Sequence, residues 1–448
     1  MPETEADVLT AHYRSLQRNW LVSDGSQAYG RLVVPNGNSS RPFHRWFHLK
    51  EAYSATLLPQ ILSDYGTPPE EHLRVFDPFS GSGTTLLSAV DHVASNSSLN
   101  VSAVGVERNP FLWELGIAKL QGRILGSALV DRVDSAFDSV IKRFKDTSVD
   151  DVPIPEQSTI NNAKYFPREN VQDLVALRYA IADVDDTVAR SILRVCLASS
   201  VEPCGQLRRD GRALRYAPQR EPRSPLPVFT ERISAATQDL TLTEPSAAFG
   251  DIHFGDGRNP PPSVGADSYD WIVFSPPYPN NIDYTEVYKT EAWILGCYDS
   301  AQDMRNQRLS TIRSHPSVRF DLDFAYRTLT VASEVDRIVE PIVNAIPDDR
   351  YATGRREVIR GYADDMFSTL RKCRDLIAKN GRLVFIVGNS AHGSQNSSSF
   401  VIAADVVMGA LAELTGWRVQ ELKVARQLKR RTSDSEFLRE SVVVLQPV

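Results

Sequence analysis

The sequence predicts an α/β fold in which helices flank one mostly parallel sheet and helical insertions separate some of its strands. Three observations lead to this prediction. Short apolar segments alternate with amphipathic ones, a glycine-rich turn joins an early strand to a helix, and a later buried strand stops at two consecutive prolines. Alternating strands and helices are typical of parallel sheets, which bind ligands at the edge formed by the carboxyl ends of their strands.

Seven segments have the length and apolar character of strands. They are residues 74–77, 101–107, 247–255, 270–274, 383–388, 419–424 and 441–445. Apolar residues at helical spacing predict helices in the remainder of the chain. We place them at residues 130–144, 170–182, 186–200, 362–378 and 400–415.

The composition excludes several classes of protein. The 448 residues carry a formal net charge of −6, so any surface for nucleic acid must be local. The acidic N-terminus does not resemble a signal peptide, and no apolar run approaches the roughly 20 residues of a membrane span. None of the four cysteines, Cys196, Cys204, Cys297 and Cys373, pairs at metal-ligand spacing. We therefore expect reduced thiols, no metal site and a cytoplasmic location.

A stiff corner is predicted at the end of the strand 270–274. The next four residues are Ser275, Pro276, Pro277 and Tyr278. Neither proline has an N–H to donate to a sheet, and each fixes φ near −65°, so the strand must end there. The corner presents one hydroxyl, backbone carbonyls and one aromatic ring at the carboxyl edge of the sheet. Taken alone, it is also compatible with an ordinary turn whose tyrosine belongs to the core.

A glycine-rich turn follows the strand 74–77 and leads into a helix. Gly81 and Gly83 permit positive φ and a close approach of the backbone to a ligand, and the helix start offers free N–H groups. The turn is not a Walker loop, and Leu86 stands where a dinucleotide fingerprint has its third glycine. A second strand ends in Glu107, about 20 residues later, where an acid can accept both hydroxyls of a ribose. Together these segments predict a nucleoside site.

The segment 77–85, Asp-Pro-Phe-Ser-Gly-Ser-Gly-Thr-Thr, together with Ser-Pro-Pro-Tyr at 275–278, resembles the amino-methyltransferases of DNA. Enzymes of this family use S-adenosyl-L-methionine to methylate N4 of cytosine or N6 of adenine. The resemblance implies a Rossmann-like methyltransferase sheet of seven strands, parallel except for one reversed strand. It also implies that the glycine-rich turn and Glu107 bind the cofactor and that residues 275–278 are catalytic.

By the same resemblance, the stretch Trp-Phe-x-x-Lys at 46–50 helps to hold the methionine part of the cofactor. An acid after the third strand accepts a hydrogen bond from the adenine amino group. Asp256 fits that acid better than Asp251, although a turn with two helper acids is an alternative. The expected cofactor-binding residues are Trp46, Lys50, Asp77, Phe79, Gly81, Ser82, Gly83, Thr84, Thr85, Glu107 and Asp256.

The chain divides into a core and several additions. We expect an N-terminal extension at 1–43, a catalytic core made of 44–119, 246–296 and 359–448, a mainly helical insertion at 120–245, and a second insertion at 297–358. Either insertion is a candidate for DNA recognition. The candidate DNA-binding residues lie in an arginine-rich loop, for which a solvated loop balanced by acids is the alternative, and in a basic hairpin. They are Arg208, Arg209, Arg212, Arg215, Lys429, Arg430 and Arg431.

The corner also suggests how a base would be methylated. Ser275 Oγ and the Pro276 carbonyl are candidate acceptors for the two N–H bonds of an exocyclic amine, which would free the nitrogen lone pair. Tyr278 would stack on a base flipped out of the duplex. Within the family, serine at the first position favours cytosine N4, whereas Asp or Asn often accompanies adenine N6. We expect double-stranded DNA as the substrate, in a restriction–modification or phage-defence system with a cognate nuclease as a candidate partner.

Three alternatives remain open. An RNA methyltransferase that acts on N2 of guanine shares the glycine-rich turn and a Pro-Pro-Tyr-like corner, but no appended RNA-binding domain is visible. A cytosine-C5 enzyme would use a cysteine after a proline, and the pair Pro203-Cys204 has no strand before it. A non-catalytic nucleic-acid-binding subunit would keep the fold, although the intact turn, acid and corner argue against it.

Overall fold

The computed structural model describes the chain in ten segments. They are residues 5–66, 72–94, 100–147, 153–210, 214–265, 269–280, 282–348, 352–392, 400–429 and 435–448. The strands within them are β1 (Val22–Asp24), β2 (His72–Asp77), β3 (Asn100–Glu107), β4 (Leu207–Arg209), β5 (Leu214–Tyr216), β6 (Phe249–Phe254), β7 (Tyr269–Phe274), β8 (Ile377–Gly388), β9 (Ser390–His392), β10 (Phe400–Ile402), β11 (Trp417–Gln427) and β12 (Arg439–Pro447). The helices are α1 (Glu5–Leu16), α2 (Ser26–Tyr29), α3 (Leu57–Tyr65), α4 (Thr84–Ala94), α5 (Pro110–Leu125), α6 (Val130–Asp146), α7 (Arg168–Ala182), α8 (Thr187–Val201), α9 (Pro225–Thr241), α10 (Tyr284–Val287), α11 (Lys289–Ile294), α12 (Ala301–Ser310), α13 (Ala332–Asn344), α14 (Ala352–Leu376) and α15 (Ala404–Glu413).

A sheet of eight strands, in the order β1-β11-β12-β8-β7-β2-β3-β6, forms the centre of the described structure. β12 is antiparallel to both of its neighbours, and the other neighbouring pairs are parallel. All seven predicted strands are in this sheet, and the single reversed strand confirms the expectation of a Rossmann-like α/β fold. The eighth strand, β1, comes from the predicted N-terminal extension and pairs with β11 at the edge.

Helices cover both faces of the sheet. On one face, α3, α4 and α5 pack over a core that includes Leu86, Val90 and Ile252. On the other face, α13, α14 and α15 bury residues such as Met366 and Met408, and α1 packs beside them. Because both faces are covered, every residue of β7 is buried, which explains why this strand reads as a continuous apolar run.

The predicted helical insertion shares an apolar core with neighbouring segments of the chain. Helices α6, α7, α8 and α9 pack on one another, and α5 and α11 pack against α8. The arginine-rich segment after α8 forms a short antiparallel hairpin, β4 and β5, instead of an irregular loop. The helix predicted at 400–415 begins only at Ala404, because residues 400–402 pair with β9 as a strand. No helix within the described ranges is long and apolar enough to cross a membrane.

Candidate active site

The direction of the strands brings the predicted site residues together. β2 ends at Asp77, β3 ends at Glu107, and β7 ends at Phe274, directly before Ser275. These three strands are parallel neighbours, so their carboxyl ends share one edge of the sheet. β12 runs in the opposite direction and therefore brings its second residue, Glu440, to the same edge.

A cavity of about 300 Å³ opens at this edge. Its wall contains most of the predicted cofactor-binding and catalytic residues, namely Lys50, Asp77, Phe79, Gly81, Ser82, Thr84, Thr85, Glu107, Asp256, Ser275, Pro276, Pro277 and Tyr278. Trp46 and Gly83 are not among the wall residues. One cavity therefore joins the glycine-rich turn to the Pro-Pro corner, and its volume is typical of a site for a small molecule.

The glycine-rich turn has the backbone geometry that the sequence predicts. Gly81 and Gly83 have φ values of 51° and 80°, which glycine adopts readily and other residues rarely adopt. The Gly81 N–H donates to Glu107 Oε2 at 2.8 Å, and the Asn109 N–H donates to Glu107 Oε1 at 2.7 Å. Burial raises the pKa of Glu107. A carboxylate has about four acceptor positions in all, so Glu107 can both hold the turn and bind a hydroxyl.

Asp77 lies beneath the turn and is only 2% exposed. Its Oδ1 accepts a hydrogen bond from the Phe79 N–H at 2.9 Å, and its Oδ2 accepts one from the Thr85 hydroxyl, which also contacts the Tyr53 hydroxyl. Burial raises the pKa of Asp77 to about 7, and the charge of Glu107 adds to the increase, while the bonds from Thr85 and Phe79 oppose it. Asp77 therefore changes its charge close to neutral pH.

Asp256 lies on the cavity wall, but a neighbouring arginine holds it. The Arg258 guanidinium donates to both carboxylate oxygens, at 2.6 Å for the shortest contact, and also donates to Asp365 and to the Ser310 carbonyl, each at 2.9 Å. Burial by itself would raise the pKa of Asp256, but Arg258 keeps it below its usual value. The alternative acid, Asp251, lies within β6 and outside the wall. Asp256 would accept a hydrogen bond from adenine in addition to those from Arg258, and this contact with the cofactor stays a prediction.

Of the two residues predicted from segment 46–50, one reaches the cavity. Lys50 lines the wall, and its Nζ donates to the Arg209 carbonyl at 2.5 Å. Trp46 is buried outside the wall, where its indole N–H donates to Asp239 Oδ2 at 2.9 Å and its ring packs against Gly122. The structure gives Trp46 a packing role, and its contact with a cofactor stays a prediction.

The next residue, Glu51, was not predicted. It lines the cavity, and its Oε2 accepts a hydrogen bond from the Tyr288 hydroxyl. Its Oε1 is buried and has no hydrogen-bond partner among the described residues. Burial raises the pKa of Glu51. A buried carboxylate oxygen without a donor is unfavourable, so a ligand with a cationic N–H group would fit this part of the cavity.

At the other end of the cavity, hydrogen bonds link the corner to the last two strands. Ser275 Oγ donates to the Tyr278 hydroxyl at 3.2 Å, and the Tyr278 hydroxyl donates to Glu440 Oε1 at 2.9 Å. Arg426 Nε donates to Glu440 Oε2 at 2.5 Å. Burial raises the pKa of Tyr278 far above its usual value, and the negative charge of Glu440 raises it further, so this hydroxyl keeps its proton. Arg426 and Glu440 also line the cavity.

The Tyr278 ring lies against the end of β8. A Cβ atom on Gly388 would lie 2.8 Å from Tyr278 Cε2, closer than two carbon atoms can approach without displacement. The corner is also held by Ser390, whose hydroxyl donates to the Pro279 carbonyl at 2.7 Å. Glycine at 388 therefore allows Tyr278 to remain half-buried on the cavity wall.

Several wall residues were missed by the sequence reasoning. Arg426 and Glu440 face each other across β11 and β12, but the register of this pair shifts twice, so their meeting cannot be read from spacing. The segment 310–315 of the second insertion also reaches the wall, and it includes His315, whose Nδ1 lies 2.6 Å from Ser317 Oγ. The opposite charges of Arg426 and Glu440, which lie next to the last two predicted strands, were the signal that could have pointed to this pair.

The candidate DNA-binding residues differ in their surroundings. Those with exposed side chains are Arg208, Arg215 and Lys429. Those that lie outside the described residues are Arg212, Arg430 and Arg431. Arg215 forms an ion pair with Asp210. The exposed residues thus remain candidates for phosphate contacts.

Arg209 differs from these residues because it is buried. It forms an ion pair with Glu291 and lies 3.3 Å from Glu202, and its guanidinium is 5.1 Å from the centre of the Tyr288 ring. Tyr288 in turn lines the cavity. Arg209 therefore supports the wall from behind, and a guanidinium held in this way is not free to meet a phosphate.

The four cysteines are free thiols. Cys204, the candidate nucleophile for C5 methylation, is buried outside the cavity wall, and burial raises its pKa to about 12. A cysteine nucleophile reacts as an accessible thiolate, so this environment does not favour that reaction. Within the described residues, no group of His, Cys, Asp and Glu side chains could hold a metal ion.

The chain is similar over most of its length to type II methyltransferases. It is 24% identical over 428 residues to the type II methyltransferase M.AvaI of Nostoc sp., an alignment that covers 88% of this chain and 83% of that protein. It is 21% identical over 458 residues to M.BsoBI of Geobacillus stearothermophilus, with 90% and 84% covered. No family model matches the chain. These relatives confirm the resemblance to the DNA methyltransferases, and methyltransferases of this type use S-adenosyl-L-methionine.

Solved structures of methyltransferases also align with the chain. TrmN from Thermus thermophilus aligns at 10% identity and a TM-score of 0.29, covering 91% of this chain, which spans only 53% of that one. The rRNA methyltransferase aviRa from Streptomyces viridochromogenes aligns at 12% identity and a TM-score of 0.30, covering 88% and 85%. At these scores, neither alignment bears on the function.

Proposed function

We propose that the chain is a DNA methyltransferase that transfers a methyl group from S-adenosyl-L-methionine to the exocyclic amine of a base, with N4 of cytosine as the target. The observation that carries this proposal is the single cavity whose wall contains both the glycine-rich turn and the Pro-Pro corner. The similarity to type II methyltransferases supports it. It also favours a role in restriction–modification or phage defence, with a cognate nuclease as the partner.

The glycine-rich end of the cavity suits a cationic nucleoside. Glu107 offers carboxylate oxygens to the ribose hydroxyls, and the unpartnered Oε1 of Glu51 would accept a hydrogen bond from an ammonium group. Lys50 lies on the same wall and could meet a carboxylate. When bound, S-adenosyl-L-methionine supplies a methyl group that its sulfonium charge already activates, so the transfer requires no nucleophile from the protein.

The corner end would prepare the amine. An exocyclic amine is a weak nucleophile because its lone pair is shared with the ring. Ser275 Oγ and the Pro276 carbonyl would accept hydrogen bonds from its two N–H groups. These bonds would draw the nitrogen toward a tetrahedral geometry, which frees the lone pair. These acceptors are fixed before the reaction, which is the favourable arrangement for stabilising a transition state. A strong base is not required, because the proton can leave after the transfer.

A base inside a duplex cannot reach this corner, so the target base would leave the helix. Tyr278 would then stack on it, an interaction worth about 1–3 kcal/mol for an aromatic side chain and a base. The exposed Arg208 and Lys429 are candidate phosphate contacts, and the segment 310–315 is the part of the second insertion nearest to the base site. Adenine N6, or guanine N2 in RNA, are the alternative targets.

Analysis of labelled nucleosides tests this proposal. The protein is incubated with S-adenosyl-L-methionine carrying a trideuterated methyl group and with unmethylated bacterial genomic DNA or total RNA, and the products are digested and identified by mass spectrometry. We expect trideuterated N4-methyldeoxycytidine from DNA and no label in RNA, with the initial rate of labelling lowered by about 10²-fold in Tyr278→Ala and Ser275→Ala. Label on N6 of adenine would change only the target base. Label in RNA alone, or on C5 of cytosine, would overturn the proposal.

A further inference from the structure

We propose that Glu440 is a positioning residue for the methyl transfer, acting through Tyr278 on the hydroxyl of Ser275. This inference rests on the function proposed above and adds a residue from the far end of the chain to it. Glu440 is the second residue of β12, the reversed strand, and it pairs in register with Gly388 at the end of β8. The reversal of one strand is therefore what brings this carboxylate to the carboxyl edge, beside the corner.

The direction of the hydrogen bonds in this chain of groups is fixed by chemistry. An ionised carboxylate can only accept hydrogen bonds, so the single hydroxyl proton of Tyr278 goes to Glu440 Oε1, at 2.9 Å. The Tyr278 oxygen is then an acceptor for Ser275, and the Ser275 hydroxyl donates to it at 3.2 Å. With its only proton committed in this way, Ser275 Oγ presents lone pairs alone to the rest of the cavity.

This arrangement is what the proposed reaction requires. The amine of the base brings two N–H donors, and a serine hydroxyl that pointed its proton at the amine would repel them. A serine without Glu440 behind Tyr278 could rotate its proton into the cavity, since hydroxyl protons turn easily to suit their surroundings. Glu440 therefore turns a group that can donate or accept into one that accepts. It does this without touching the base.

Arg426 completes the arrangement. Its Nε donates to Glu440 Oε2 at 2.5 Å, and Glu440 is 3% exposed, so the arginine supplies the countercharge that a buried carboxylate needs. Arginine has donors and no acceptor, so Glu440 Oε2, the oxygen that faces it, must accept a hydrogen bond. Each oxygen of the carboxylate therefore accepts one hydrogen bond, Oε1 from Tyr278 and Oε2 from Arg426.

Glu440→Gln would disturb this direction with almost no change in shape. Of the two terminal atoms of glutamine, the oxygen would face Arg426, because the arginine can only donate. The amide nitrogen would then face Tyr278 and donate to it, which would turn the Tyr278 proton toward Ser275. The Ser275 proton would in turn point into the cavity, where the amine should bind.

The test compares Glu440→Gln with Glu421→Gln as a matched control. Glu421 lies on β11, accepts a hydrogen bond from the Tyr65 hydroxyl at 2.6 Å, and is not on the cavity wall. Methyl transfer to unmethylated genomic DNA is measured at saturating DNA, together with the Kd for S-adenosyl-L-methionine and the melting temperature. We expect kcat to fall by roughly 10- to 100-fold in Glu440→Gln, with the Kd unchanged, and we expect no change in Glu421→Gln.

A double-mutant comparison separates positioning from general damage. Tyr278→Phe keeps the ring but cuts the connection between Glu440 and Ser275, so it should lower kcat by itself. Adding Glu440→Gln to Tyr278→Phe should then cause no further loss. Equal and additive losses, or a Glu440→Gln enzyme as active as the wild type, would overturn this inference and leave the proposed function standing. A wild-type protein that binds S-adenosyl-L-methionine but methylates no DNA would overturn both.

Discussion

The two ends of the cavity are built in different ways. At the glycine-rich end, Asp77, Gly81 and Thr85 belong to one continuous strand, turn and helix, and Glu107 at the end of the adjacent strand is bonded to the backbone of that turn. At the corner end, only Ser275 and its three successors are continuous in sequence. Their geometry depends on residues from β8, β11 and β12, more than a hundred positions later in the chain.

This difference indicates how function divides along the cavity. A site held by one strand, turn and helix is local, and it should bind its ligand even when the other end is damaged. A site assembled from the ends of several strands depends on their register and is sensitive to small displacements. We therefore expect changes at the glycine-rich end to alter cofactor affinity and changes at the corner end to alter the rate of transfer.

The largest effect is expected behind the glycine-rich end, at Arg209. Replacing it by alanine leaves Glu291, which is 0% exposed, without its ion-pair partner. Loss of one member of a buried pair costs about 3–5 kcal/mol, so the free energy of unfolding of Arg209→Ala should fall by this amount in urea denaturation. The exposed Arg208 on the same hairpin provides the control, and Arg208→Ala should change stability by less than about 0.5 kcal/mol. Equal stability of the two variants would contradict the supporting role of Arg209.

The next largest effect is expected at the corner end, in Tyr278→Ala. This change removes both the stacking surface and the acceptor of the Ser275 proton. We expect the rate of methyl transfer to fall by about 10²-fold or more, and the Kd for S-adenosyl-L-methionine, measured by calorimetry, to stay within about twofold of the wild-type value. A large loss of cofactor affinity in this variant would show that the two ends are not separable.

A pH effect is expected at Asp77. Its pKa rises from an ordinary value near 4 in the unfolded chain to about 7 in the folded protein, so the folded state binds more protons between these values. Stability without the cofactor should therefore fall as the pH rises, by about 2 kcal/mol from this residue between pH 5 and pH 7. Chemical denaturation at several pH values gives the free energy of unfolding, which should fall less steeply with pH in Asp77→Asn than in the wild type. The same dependence on pH in both proteins would mean that Asp77 does not titrate in this range.

The smallest effect is expected from Gly388→Ala. The added Cβ would displace the Tyr278 ring by contact at 2.8 Å, and a misplaced reacting group costs rate more than it costs binding. We expect the transfer rate to fall by about tenfold at unchanged cofactor affinity. Gly354→Ala is the control, because the nearest atom to its Cβ would be Pro316 Cβ at 3.4 Å, an ordinary contact. The same loss in both variants would argue against a specific role for Gly388.

What could be predicted from the sequence follows the same division. The glycine-rich turn, Glu107 and the Pro-Pro corner were predictable because each is a short segment whose residue types determine its backbone. The central strands were also predictable, because burial on both faces makes a strand such as β7 a continuous apolar run. The pairing of Glu440 with Arg426 was not predictable from strand spacing, because two register shifts interrupt the regular pairing of β11 and β12, and the opposite charges at the strand ends were the one available signal. Arg209 was counted among the candidate DNA-binding residues, because a cluster of arginines does not reveal that one of them is buried against Glu291.

The most direct test is the single-turnover rate of methyl transfer as a function of S-adenosyl-L-methionine concentration, measured for Glu107→Gln and Ser275→Ala. For Glu107→Gln, we expect the half-saturating concentration to rise by roughly tenfold or more, with a plateau within about threefold of the wild type. For Ser275→Ala, we expect an unchanged half-saturating concentration and a plateau lowered by about 10²-fold. If both variants altered the same parameter, the division of the cavity into a cofactor end and an amine end would be contradicted.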